Sequence, residues 1–184
     1  MQTFHQTEFE TSALSFPVKE LIPHIQDIRE KYTLDGAAGM EPHFTAHFPF
    51  VTSSDELSRY RQTIQQICRS IPPFTIRIRK IDRFPNGVIY LKPESDLDTD
   101  AVMKDCAHAH PDYPPYHGTI PIEDLHSHIT LATIYEHDQR NAVFAEIERR
   151  LHAVFPISAK ISTLNMYVKN SGRWYFYESF PIGI

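Results

Sequence analysis

Residues 41–50 read EPHFTAHFPF, and residues 126–134 read HSHITLATI. Successive side chains of a strand point to opposite faces, so His43, Thr45 and His47 share one face of the first segment, and His126, His128 and Thr130 one face of the second. Phe44 and Ile129 then point into the opposite, apolar layer. Each segment reads as a strand that sets an imidazole beside a hydroxyl.

Outward from these strands the pattern runs twice. Before the first come a strand over 13–18 and a helix over 19–32, with Leu21, Ile25, Ile28 and Tyr32 at helical spacing and Pro23 near its start. A loop over 34–42 leads into the strand. After it, Ser53 with Glu56 three residues on forms a capping box that opens a helix over 53–71, its apolar side Leu57, Tyr60, Ile64, Ile67 and Cys68. Period-two alternation on both sides of Asn86-Gly87 predicts a hairpin over 73–94. The second round has a helix over 98–110, a proline-rich loop over 111–124, a strand over 125–136, a helix over 138–155 and a hairpin over 156–182 turning at Asn170-Ser171-Gly172. Gly87 follows His43 by 44 residues (43 to 87), and Gly172 follows His128 by the same interval (128 to 172). Helix, His-bearing strand, helix, hairpin, repeated at one spacing, predicts an α+β domain of two lobes related by a pseudo-two-fold. Antiparallel-rich sheets flanked by helices would then bring the two His-bearing strands together at a central cleft.

A chain of 184 residues supports one core, so residues 1–184 are expected to form a single domain, with the polar residues 1–11 loose. An apolar fraction of 41% with 12% aromatics describes a packed globule rather than a disordered chain. The net charge of −5 speaks against a long nucleic-acid footprint, though a small anionic ligand in a local positive pocket remains compatible. Cys68 and Cys106 stand alone in helical stretches without metal or disulfide spacing, which suits a reducing cytoplasm. No secretory leader and no apolar run of membrane-spanning length is expected, and the protein is expected to be a monomer.

His-x-Ser/Thr is a short pattern, and it also occurs at His5 to Thr7 and His117 to Thr119, neither of them in a strand context. The pair HFTAHFPF and HITLAT, 85 residues apart in a two-half α+β chain, resembles the paired His-x-Thr motifs of the two-histidine (2H) phosphoesterase superfamily, in particular its 2′-5′ RNA ligase-like and cyclic phosphodiesterase branch. The resemblance runs from LSFPV to the closing GRWYFYESFPIGI, where that family also tends to end in an aromatic strand. It implies a nucleotide or RNA-end substrate with a cyclic or 2′-5′ phosphodiester, and no cofactor or metal. It also implies His43 and His128 as the acid–base pair, with Thr45 and Thr130 as phosphate holders. Elementary chemistry agrees. Opening a cyclic phosphate needs one group to take a proton from water and another to give one to the leaving sugar oxygen, and imidazoles with an ordinary pKa near 6.5 do both. Hydroxyls can hold the non-bridging oxygens.

His47 departs from the family pattern and either lines the pocket or ends the strand. His126, sharing a face with His128, makes a fourth histidine that could converge on a metal, although the threonines would then go unexplained. Cys106, His108 and His110 in CAHAH read as solvated surface at a helix end. Arg77 and Arg79 form a solvent-facing row unless their strand turns toward the cleft, in which case one could bind phosphate. Tyr135, Tyr167, Trp174 and Tyr177 are candidates for stacking a base. A binding module without turnover and a His-rich metal-dependent hydrolase are the alternatives to a metal-independent phosphodiesterase.

Overall fold

A computed structural model describes residues 7–184. Its strands are β1 (Thr11–Pro17), β2 (His43–His47), β3 (Phe74–Ile78), β4 (Ile81–Arg83), β5 (Val88–Leu91), β6 (Ile129–Thr133), β7 (Ile157–Ile161), β8 (Thr163–Asn170) and β9 (Arg173–Pro181). The α-helices are α1 (Ile22–Tyr32), α2 (Leu34–Ala37), α3 (Ser54–Ser70), α4 (Thr99–Ala109) and α5 (His137–His152). The α+β architecture with antiparallel sheets stands as the pattern predicts. Ser53 caps α3 by accepting from the Glu56 amide at 3.2 Å, while the Glu56 carboxylate reaches back to the Thr52 amide at 2.7 Å. Leu57, Ile64 and Cys68 form the buried stripe of α3, as their spacing requires.

The chain does not fold as two contiguous halves set side by side. One sheet has the order β2-β1-β8-β9 and another the order β4-β5-β6. The hairpin of the first half, β4–β5, therefore completes the sheet of the second half's His-bearing strand, and the β8–β9 hairpin joins the first half's strands. β3 leaves the predicted hairpin and pairs antiparallel with β7, its counterpart. The helices cross as well: α1, which precedes β2, packs against β6, and α4, which precedes β6, packs against β2. Phe44 and Ile129 lie in one core with Phe16, Ile25 and Phe74, and the Phe16 and Phe44 rings stack at 4.9 Å.

The 34–42 segment contains the short helix α2, capped by Thr33, whose hydroxyl accepts from the Gly36 amide at 2.8 Å. Gly36 is required there, because a Cβ would come within 2.5 Å of the Arg29 carbonyl. Residues 7–10 are not loose: Phe9 is buried, its amide donates to Thr52, and the Glu10 amide donates to Lys169. The remainder of the expected loose end, with His5, lies outside the described residues. Cys68 and Cys106 are free and buried.

Each His-bearing strand carries a β-bulge at the same place. Ser15 opposes Thr45 but Leu14 opposes His47, which leaves Ala46 as the extra residue; Tyr90 opposes Thr130 but Ile89 opposes Ala132, which leaves Leu131. Burial follows the same course along 43–47 and 128–132: half-buried, buried, half-buried, buried, buried. The bulge resets the alternation, so His47 turns away from the face of His43 and Thr45 into the interior, where the matching residue is Ala132. There its ring lies 5.3 Å from the His110 ring and 5.6 Å from Phe50. Cys106 and His110 are buried too, contrary to their reading as surface, while His108 is exposed.

Burial holds His47 near pKa 4 and lowers His110 as well. Both fold as neutral rings, whereas the unfolded chain protonates them below about pH 6.5. The unfolded state then binds more protons, so stability is full above that pH and falls as the pH drops toward 4, by about 1.4 kcal/mol per unit for His47 alone. Denaturant melts of His47→Leu are expected to show a shallower acid loss than wild type between pH 6.5 and 4.5, and an equal slope would refute this origin.

Candidate active site

His43 and His128 are fixed in the same way. The His43 Nδ1 lies 2.8 Å from the Glu41 carbonyl oxygen, and the His128 Nδ1 lies 2.7 Å from the His126 carbonyl oxygen. A carbonyl oxygen can only accept, so each Nδ1 carries its hydrogen and donates. Each neutral ring is thereby left with an Nε2 lone pair. The bond to the carbonyl two residues back also locks the ring against its own strand. Phe84 and Tyr90 wedge the His128 ring edge-on at 5.1 and 5.7 Å.

His43, Thr45, His128 and Thr130 line one cleft of about 960 Å³ between β2 and β6. All four side chains are half-buried. Burial lowers the pKa of His43 to about 4, helped by the Arg29 charge and by His128 itself. His128 is lowered as well, by burial above all. Both imidazoles line that same cleft.

Two cleft residues went unread in the sequence. Arg29 of α1 is buried, donating through Nη1 to the Thr130 carbonyl and through Nη2 to the Met40 carbonyl at 3.3 Å. It ties the carbonyl of the second His-x-Thr strand to the segment entering the first. Burial lowers its pKa to about 10, with Asp35 opposing, and it stays charged at neutral pH. The signal was present: Arg29 is i+4 from Ile25, on the apolar stripe of its helix, where a charge is out of phase. The other is Tyr116, which sits in the proline-rich segment at φ 50 and lines the cleft together with Thr45, its phenol pushed up to about 12 by burial. No periodicity marks such a loop residue.

The remaining candidates divide. Tyr135 lies on the cleft rim and is 79% exposed; Trp174 lines the cleft but is mostly buried, donating Nε1–H to Asp35 at 2.9 Å. Arg77 is exposed on the outer side of β3, the solvent-facing row, and lies outside the cleft. His126 points outward, its Nδ1 2.9 Å from an Asp100 carboxylate oxygen. Tyr167 is a core residue donating to Glu41, and Tyr177 packs on Phe9. The four strand histidines do not converge, and among the described residues no three His, Cys, Asp or Glu side chains gather as metal ligands.

A two-lobed α+β fold with a histidine and a threonine from each lobe facing one cleft defines a recognisable class. Residues 17–173 match the sequence profile of the 2′-5′ RNA ligase superfamily, and the chain belongs to that family. A Bacillus licheniformis protein named "Putative phosphoesterase" is 25% identical over 170 residues, covering 91% of this chain and 95% of its own. A Bacillus pumilus protein with the same name is 26% identical over 171 residues, covering 91% and 94%. Crystal structures of E. coli LigT share the fold. The complex with ATP gives a TM-score of 0.56 at 14% identity over 96% of this chain and 99% of that one, and the complex with 3′-AMP gives 0.55 at 13% over 97% and 100%.

Nitrogen-15 NMR of the imidazoles at pH 7 is expected to show His43 and His128 both protonated at Nδ1 and bare at Nε2. An Nε2–H signature on either ring would contradict the tautomer argument.

Proposed function

We propose that this member of the 2′-5′ RNA ligase superfamily is a phosphodiesterase that opens 2′,3′-cyclic phosphates or cleaves 2′-5′ phosphodiesters of nucleotides or RNA ends by metal-independent acid–base catalysis. The observation that carries the reading is the matched pair of Nδ1-anchored imidazoles whose Nε2 atoms are left for one cleft. A phosphate between them has a proton acceptor on one side and, once the other ring is protonated, a donor on the opposite side. Water adds to phosphorus as one Nε2 takes its proton. The bond to the sugar oxygen breaks with its electron pair, and that oxygen takes the proton from the other Nε2. The imidazolium and the neutral ring exchange a proton with solvent to reset. Thr45 and Thr130 donate to the non-bridging oxygens, and buried Arg29 supplies positive charge in a negative molecule. The relatives named as phosphoesterases support the reaction class, and the nucleotide complexes of LigT support the ligand class, at the level of fold.

Hydrolysis of 2′,3′-cyclic AMP in the presence of EDTA is the direct assay. Either His43→Ala or His128→Ala is expected to lower kcat/KM by about 10³-fold, and Thr45→Val or Thr130→Val by roughly 10²-fold. Nucleotide binding without turnover in the wild type would instead establish a binding module. Loss of all activity with EDTA, restored by added metal, would overturn metal independence.

Because both histidines are shifted downward, the bell-shaped kcat/KM profile should lie on the acid side of pH 6.5. Rate rises with pH as the base loses its proton and falls as the acid loses its own. An optimum above pH 8 would contradict the assignment of these two groups.

A further inference from the structure

A further negative charge weakens a cleft for phosphate in a molecule of net charge −5, yet Asp35 stands exposed on the cleft wall. Arg29 gives its terminal nitrogens to the Thr130 and Met40 carbonyls. The hydrogen bond that the Asp35 side chain receives comes from elsewhere: Trp174 donates Nε1–H to its Oδ1 at 2.9 Å. Trp174 is buried and fixed in β9, its own amide donating to the Ala38 carbonyl at 2.9 Å. A buried indole thus orients the carboxylate, and it leaves Oδ2 and the second lone pair of Oδ1 for another donor.

The surroundings of that carboxylate are aromatic. Phe48 and Tyr116, both half-buried, line the cleft with Trp174. The Phe48 ring lies 6.2 Å from Tyr116 and 6.3 Å from Trp174, and buried Ala13 and Met40 form the floor beside Trp174. Tyr116 and His117 hold left-handed backbone, φ 50 and 56, which residues other than glycine adopt at a cost. The turn is pinned by the Tyr116 amide, which donates to the Phe48 carbonyl at 2.8 Å. Phe48 follows Thr45 by three residues, at most about 10 Å of extended chain, the reach from a ribose phosphate to the edge of its base.

We propose that this end of the cleft is a base-reading subsite, with Asp35 as its specificity-determining residue and guanine as the base it takes. The subsite deepens the phosphodiesterase reading and rests on its placing of the phosphate in this cleft. In a 2′,3′-cyclic phosphate both O2′ and O3′ are esterified, so the sugar keeps only its 5′-oxygen, and in an RNA end that one is esterified too. The donors left to answer a carboxylate belong to the base. Adenine and cytosine each set an amino group beside a ring nitrogen that accepts, and uracil sets one N–H between two carbonyl oxygens. Each of these brings an acceptor against the carboxylate, a repulsive contact that discriminates along with the matched bonds. Guanine presents two parallel donors, N1–H and N2–H, to a two-oxygen acceptor, the fork geometry that makes such pairs strong. The rings of Phe48 and Tyr116 accept any base, and the carboxylate selects among them.

The test is kcat/KM on the four 2′,3′-cyclic nucleotides for wild type and Asp35→Asn. Asparagine keeps an oxygen for the Trp174 indole and turns the other acceptor into a donor. Any effect of the lost charge on His43 or Arg29 is common to the four substrates and cancels in their ratios. Wild type should favour cyclic GMP over cyclic UMP by about 10-fold or more, with cyclic AMP and cyclic CMP also below cyclic GMP. Asp35→Asn should bring the ratio of cyclic GMP to cyclic UMP close to one. Equal turnover of the four, a preference for another base, or a guanine preference that survives in Asp35→Asn overturns the subsite and leaves the phosphodiesterase reading intact. If wild type binds without turnover, the calorimetric Kd values of guanosine and uridine 3′-monophosphates supply the same ratio, and the subsite stands or falls on it while the phosphodiesterase reading is lost. A wild type that neither binds nor turns over any of the four removes both.

Discussion

An imidazole that donates Nδ1–H to the carbonyl two residues behind it keeps one nitrogen, one tautomer and one direction. His43 and His128 both obey this constraint, through the carbonyls of Glu41 and His126. A histidine free to rotate on a strand would offer either nitrogen to the cleft, and a pair of them would have no defined separation of acceptor and donor. The anchoring bond is local to each strand, so it reproduces itself wherever the backbone is reproduced. The bulge after Thr45 and its twin after Thr130 show that the backbone is reproduced in detail. Beyond each bulge the chain turns inward, which confines the polar face to a single His-Thr pair per lobe.

The crossing topology turns two local pairs into one site. Each half lends its hairpin to the other half's sheet, and each helix that precedes a His-bearing strand packs on the opposite one. Neither lobe can be completed without the other, so the relation between β2 and β6 is set by core packing rather than by a hinge. Arg29 makes the same link in polar form, joining Met40 on the approach to β2 with Thr130 of β6. Its buried charge is acceptable because carbonyl dipoles receive it, and it depresses the proton affinity of the neighbouring His43.

Much of this was legible in the sequence, for physical reasons that also mark its limits. Period-two spacing placed His43 with Thr45 and His128 with Thr130, and equal intervals to the hairpin turns revealed the repeat. The same alternation misplaced His47, because a one-residue bulge reverses every side chain beyond it and leaves no mark in the apolar pattern. It also ran β3 into the following hairpin, since a strand's pattern does not name its partner. Long-range partners such as Tyr116, carried into the cleft with Thr45 by a proline-rich loop, and Asp100, clasping Ser127 from the start of α4, have no signature in spacing. Arg29 did have one, as a charge out of phase on an amphipathic helix.

The central claim is that two imidazole–hydroxyl pairs from opposite lobes grip one phosphorus. A crystal structure with a nucleoside 3′-monophosphate bound tests it most directly. The account predicts the phosphate seated between the two Nε2 atoms, with the Thr45 and Thr130 hydroxyls on its non-bridging oxygens. A phosphate held by one lobe alone, with the other histidine out of hydrogen-bond reach, would contradict it.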